Sequence, residues 1–156
     1  MIEVGSFVIM GDWDKTVTPK GKLRIVMPPL GHLDGAGWSP FTQAGILGLT
    51  KHLRPGMSFA EIGAGSGILC VAARLLGAKH IVATELDRDA LAIIPQVFAA
   101  NNITEDYEII DGTFPNSHVD LALCSISTVF GKENAVKINA KHILNVDNDG
   151  KLVTIK

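Results

Sequence analysis

An α/β fold built on a doubly wound, mostly parallel sheet is predicted by three features of the sequence. The short apolar run Phe59–Ile62 passes into glycines at alternate positions, Gly63, Gly65 and Gly67. The apolar stretch Ile68–Leu76 follows and stops at Gly77, a residue suited to the C′ position of a helix. The β-branched run His80–Glu85 then reads as a buried parallel strand closed by an acid. Strand, glycine turn, helix and strand make one βαβ unit, so the sheet is read as Rossmann-like, with its ligand site at the end of the first of these strands.

The turn Gly63-Ala64-Gly65-Ser66-Gly67 brings backbone close to a nucleotide-like ligand, because a Cβ there would block either the bend or the approach. In dinucleotide folds the pattern is usually Gly-x-Gly-x-x-Gly, with a pyrophosphate on the helix N-terminus. Here Ile68 occupies the third glycine's place and the glycine comes one position earlier. Glu85 lies eighteen positions past Gly67, close to the ~20-residue spacing at which an acid meets ribose hydroxyls. Its two oxygens suit both hydroxyls, with Leu86 next in line. The plain alternatives are an ordinary tight turn and an exposed strand-end acid.

The run Glu61-x-Gly63-x-Gly65-x-Gly67 resembles motif I of the class I S-adenosylmethionine-dependent methyltransferases. That resemblance implies S-adenosyl-L-methionine as cofactor, held by Glu61, Gly63, Ala64, Gly65 and Gly67, with Glu85 and Leu86 beyond them. The segment Leu75–Leu91 is similar to the matching run of bacterial ribosomal-protein methyltransferases, in which a Leu-Gly-Ala turn leads to an acid and then Asp-x-Asp-Ala-Leu. Upstream, Gly37, Pro40 and Thr42 match that group's Gly-Thr-His-Pro-Thr-Thr segment, whereas Trp38, Ser39 and Phe41 depart from it. The resemblance makes Thr42 a partner of the methionine part of the cofactor. Its other reading is a hydroxyl satisfying a backbone N–H at a helix start.

In chain order, Phe7–Met10 and Leu23–Met27 are β-prone runs separated by Gly11–Lys22, and they read as a long hairpin within a β-rich extension over residues 1–36. A glycine-rich loop from Gly31 to Pro40 leads into a helix over Phe41–Leu53, stopped by Arg54-Pro55-Gly56. Asp87 suits the N-cap of a helix running to Ala100, with Asp89 in its first turn and a kink at Pro95. Tyr107–Gly112 gives a third strand. By the methyltransferase resemblance, Asp111 there accepts from the adenine amine while Gly112 and Thr113 offer backbone contacts; Asp111-Gly112 also reads as a simple turn. Val119–Cys124 is a fourth strand, followed by Ser125 and Ser127 where related enzymes place acceptor-facing groups. The Asn/Asp-Pro-Pro-Tyr/Phe motif of nucleobase and glutamine amine methylation is absent.

A helix over Lys132–Leu144 and a strand over Lys151–Ile155 complete the reading. Against the family pattern, this is a methyltransferase fold lacking the last two strands. Its fifth strand would be an open edge, so a homodimer or larger oligomer is expected.

Composition fits one domain over residues 1–156, within the ~100–200 residues usual for a single core. Hydrophobic residues make up 47% and charged residues 19%, which excludes general disorder. A net charge of −2 without a dense Lys/Arg block gives no electrostatic footprint for nucleic acid. Cys70 and Cys124 lack metal or disulfide spacing and read as small core residues. No segment is long enough to span a bilayer, and the N-terminus does not read as a secretory signal, so a cytoplasmic location is expected.

No catalytic residue and no metal site is assigned. The sulfonium already makes the methyl electrophilic, so the protein mainly aligns an acceptor and excludes water. Three functions stay open: a methyltransferase of unidentified acceptor, a non-catalytic S-adenosylmethionine-binding or accessory protein, and an NAD-binding Rossmann domain.

Overall fold

The computed structural model describes residues 1–29, 39–125 and 131–156. Its centre is a six-stranded sheet formed by β4 (Ser58–Ile62), β5 (His80–Glu85), β6 (Tyr107–Asp111), β7 (Val119–Cys124), β8 (Ala140–Val146) and β9 (Leu152–Thr154), in the order β6-β5-β4-β7-β8-β9. The first five strands of that series are mutually parallel, and β9 runs antiparallel to β8. The crossovers include α2 (Ile68–Leu75), α3 (Arg88–Ala100) and α4 (Gly131–Ala135), while α1 (Pro40–His52) precedes β4.

Side chains alternate across the sheet, as the period of two in a strand requires. Phe59, Ile81 and Leu121 lie in one row of register and belong to the larger core, with Ile46 and Leu49 of α1 and Ile94 and Phe98 of α3. Their neighbours Ala60, Val82 and Ala122 face the other way and form a second cluster with Ala135 and Ile138. Because the five strands β4 to β8 are parallel, their carboxyl ends, and hence the loops that follow them, lie on one side of the molecule.

Two sequence expectations are corrected. The Phe7–Met10 and Leu23–Met27 runs do not form a hairpin: β2 (Phe7–Gly11) pairs parallel with β3 (Leu23–Met27), from Phe7↔Leu23 to Gly11↔Met27. The true hairpin joins β2 to β1 (Ile2–Val4) through the tight turn at Gly5, whose φ is +55°. The Asp12–Lys22 segment is long enough to return the chain to the starting end, as a parallel crossover must. The Arg24 guanidinium holds it by donating to the carbonyls of Asp14 and Thr16.

The second correction concerns Lys132–Leu144. The helix there is short, and Ala140–Val146 is the fifth parallel strand, with Ile143 to Val146 all buried. A brief apolar run does not distinguish helix from strand. The Lys151–Ile155 segment consequently supplies β9, whose residues 152–154 cover the edge of β8. The open fifth strand that motivated the homodimer expectation is thus paired within the chain.

Elsewhere the helix reading holds. Ser39 caps α1 through its Oγ, Asp87 caps α3 by accepting from the N–H groups of Asp89 and Ala90, and α3 continues through Pro95 to Ala100. The Gly31–Trp38 part of the glycine-rich loop lies outside the described residues. No helix among the described residues is long and apolar enough to cross a membrane.

The three-stranded sheet packs Phe7, Ile9, Ile25 and Met27 into the larger core, and one polar side chain ties its edge to α3. Asn101, at the end of α3, accepts from Val26 N at 2.8 Å and donates to Val26 O at 2.7 Å, taking the place of a neighbouring strand. It also donates to Val97 O. Replacing it by alanine leaves the paired groups of Val26 without these partners. Asn101→Ala is expected to lower unfolding stability by about 1–3 kcal/mol with an unchanged denaturant slope, measured by urea titration.

Candidate functional site

The site is built where β4, β5, β6 and β7 end. After Ile62 the chain bends through Gly63, Gly65 and Gly67, all at positive φ. At Gly65 (φ +58°) a Cβ would meet nothing within 4 Å, so the bare backbone faces open space. At Gly67 (φ +83°) a Cβ would stand 3.2 Å from Phe98 and 3.3 Å from Ile94, so this glycine lets α2 approach α3. One residue therefore serves approach from outside and another serves packing within.

Hydrogen bonds stitch the neighbouring loops to this turn. Ala64 N donates to Thr84 O at 2.8 Å, Gly112 N donates to Glu85 O at 3.1 Å, and the Thr84 hydroxyl donates to Thr113 O at 3.0 Å. Glu85 is the hub. Its Oε1 accepts from Gly65 N at 2.8 Å, and its Oε2 accepts from Leu86 N at 2.7 Å and from Asp87 N at 2.8 Å. The acid thus shapes the glycine turn as well as its own loop.

Over this hub lies a cavity of about 480 Å³. Gly63, Glu85, Leu86 and Gly112, expected from the sequence, all line it. Leu86 is 66% exposed and Phe114 is 37% exposed, yet both border the same cavity, which suits a flat aromatic group between apolar surfaces. Ser125, at the end of β7, lines it as well, whereas Ser127 falls outside the described residues.

The other expected residues sit elsewhere. Ala64 is buried in the turn, and Thr42 lies in the first turn of α1 without bordering the cavity. The Asp111 carboxylate is exposed and lies 4.0 Å from the Arg88 guanidinium. Glu61 is beneath the turn, 5% exposed, with Oε2 accepting from Cys70 N at 3.2 Å near the start of α2. Phe114 and Asn134 were missed. Phe114 follows the third-strand acid closely enough to have been flagged, but Asn134 reaches the site from α4 and carries no local signal.

Electrostatics separate the site's buried groups from a nucleophilic role. Burial pushes the Cys124 thiol up to about 11, so it stays protonated at neutral pH. Burial, reinforced by Glu61, drives the Cys70 thiol well above its ordinary value. Burial also raises Glu61 to about 8, against the opposing hydrogen bond from Cys70 and with some help from Glu85.

A profile of the ribosomal protein L11 methyltransferase family (PrmA) matches residues 2–129. The chain belongs to this family. Among curated members, the ribosomal protein L11 methyltransferase of Dictyoglomus thermophilum is 33% identical over 107 residues, covering 69% of this chain and 35% of its own length. That of Caldicellulosiruptor saccharolyticus is 31% identical over 126 residues, covering 80% and 41%. That of Aquifex aeolicus is 42% identical over 90 residues, covering 58% and 33%. The chain therefore spans well under half the length of these relatives.

Solved structures agree on the fold. The ribosomal protein L11 methylase of Lactobacillus delbrueckii subsp. bulgaricus superposes with a TM-score of 0.76 at 21% identity, over 89% of this chain and 73% of that one. A methyltransferase from Thiobacillus denitrificans in complex with S-adenosyl-L-homocysteine gives 0.55 at 21% identity, over 69% and 49%. As a member of a methyltransferase family, the chain has S-adenosyl-L-methionine as its cofactor. The open backbone at Gly65, the acid at Glu85 and the apolar border of Leu86 and Phe114 fit that molecule.

Glu61 provides a test of this electrostatic arrangement. Its folded value of about 8 lies above the ordinary 4.5, so the folded chain holds a proton that the unfolded chain releases between those values. Its stabilising contribution is full below about 4.5 and is lost as pH rises to about 8. Unfolding free energy measured across that window should decline in the parent chain, and Glu61→Gln should remove this part of the decline.

Proposed function

We propose that this chain binds S-adenosyl-L-methionine at the turn over Glu85 and transfers its methyl group to a protein acceptor, ribosomal protein L11. The acceptor is proposed from the names of its relatives. The cavity supports the cofactor part, and the single observation that carries it is the Glu85 carboxylate. A carboxylate offers about four lone-pair sites, and three of Glu85's are used by the N–H groups of Gly65, Leu86 and Asp87. One site accepts a ribose hydroxyl directly. A second hydroxyl is accommodated only by sharing or displacing one of the three backbone donors.

Within the site the residues divide the work. Leu86 and Phe114 offer apolar surfaces for the adenine ring, and Glu85 accepts from the sugar. Gly63 and Gly65 leave room for the ligand against the backbone. The cofactor supplies an electrophilic methyl on a sulfonium, so the protein's remaining task is to present the acceptor and keep out water. Ser125 stands at the β7 end of the cavity, where it can orient an acceptor group by hydrogen bonding. Action on a ribosomal protein carries with it a cytoplasmic location.

Calorimetry with S-adenosylmethionine, S-adenosylhomocysteine and NAD checks the ligand: the first two should bind and NAD should not. Glu85→Ala should weaken S-adenosylmethionine binding by more than about 1.5 kcal/mol, or roughly tenfold; unchanged affinity would remove the ribose assignment. Release of S-adenosylhomocysteine on adding ribosomal protein L11 distinguishes turnover from binding alone. Binding without release would leave a cofactor-binding protein that does not methylate that acceptor.

A further inference from the structure

A second cavity, of about 290 Å³, lies away from the cofactor cavity. It opens between the carboxyl end of α1, the turn leading into β4, and the early residues of β7 and β8. These strand positions, Leu121 and His142, are opposite one another in register near the strands' amino ends, whereas the cofactor cavity collects their carboxyl ends. Lys51, His52, Arg54 and His142 all line it, and no carboxylate does among the described residues.

The sequence reading found no dense Lys/Arg block because Lys51, His52 and Arg54 make only a short run, to which the fold adds His142. Part of the cluster has a local explanation: Lys51, His52 and Arg54 complement the negative end of the α1 dipole. Arg54 Nη1 donates to Lys51 O at 2.9 Å and to Leu53 O at 3.2 Å, which anchors the guanidinium while leaving its Nε and Nη2 hydrogens for another acceptor. His142 has no such explanation, since it comes from β8, and Thr154 adds a hydroxyl from β9. Donors therefore converge from three separate elements.

We propose that this crevice is a phosphate-binding site in which Lys51, His52, Arg54 and His142 surround the anion. A tetrahedral phosphate presents several anionic oxygens in different directions and so satisfies charged donors arriving from different sides. The cavity is larger than a bare oxyanion requires, and Leu121 and Leu144 give it an apolar wall. A phosphate carrying an organic group is thus the ligand it fits, either a free phosphomonoester or one phosphate of an RNA strand. Burial, then the charges of Lys51 and Arg54, then His142, hold the His52 imidazole below its ordinary value. A bound phosphate offsets those positive neighbours and so favours the protonated form of His52.

The test is an NMR titration of the full chain with inorganic phosphate, a nucleoside monophosphate and a short single-stranded RNA. Phosphate should shift the His52 and His142 ring signals together with one saturating curve and raise the titration midpoint of His52. Arg54→Gln and His142→Gln should each weaken binding about tenfold, with S-adenosylmethionine binding unchanged. Tight RNA binding that phosphate competes away would identify a nucleic-acid backbone as the source. Stronger binding of the monophosphate than of RNA would identify a small ligand. Histidine signals that do not respond to any probe, or responses equal in Arg54→Gln and the parent chain, would overturn the proposal.

Discussion

Three backbone N–H groups from two different loops converge on the carboxylate of Glu85, and the shape of the cofactor site depends on that convergence. The bond to Gly65 crosses from β5 to the turn after β4, while those to Leu86 and Asp87 fold the acid's own loop back onto it. Short N–H bonds to a carboxylate are among the stronger hydrogen bonds a protein makes. The glycine turn is flexible by composition but is held in place by a side chain that is also the candidate sugar ligand. Ligand binding and loop geometry are consequently linked through the same two oxygens.

A second carboxylate lies close to this one in the fold and behaves differently. Glu61 ends up beneath the turn, shielded from water, with one oxygen turned toward the first residues of α2. Burial favours its protonated form, so it contributes a neutral hydrogen-bonding group rather than a charge. Two acids from adjacent strands thereby take separate parts: Glu85 holds the loops at the cavity and Glu61 steadies the helix start from below. The difference comes from environment and not from chemical type.

The βαβ core was legible because its signals are local. Alternate glycines, an apolar helix ending in glycine and a strand closing in Glu85 fall within one continuous stretch, and four of the expected site residues line the cavity. Features that depend on distant pairing were not legible. Whether Leu23–Met27 runs with or against Phe7–Gly11 is decided by the path of the intervening segment, not by either run. Ile143–Val146 is too short for periodicity to identify as strand, and Asn134 joins the site only through topology. The same limit applies to the basic crevice: Lys51, His52 and Arg54 are near neighbours in sequence, but His142 joins them only through the fold.

The Asn101 side chain has an effect beyond mooring. A strand at the margin of a small sheet exposes free amide and carbonyl groups that invite another chain to join it. By engaging both polar groups of Val26, Asn101 closes that margin at the middle of β3 with a few atoms from a helix end. The β3 edge of the N-terminal sheet thus offers no uninterrupted ladder to a stray polypeptide.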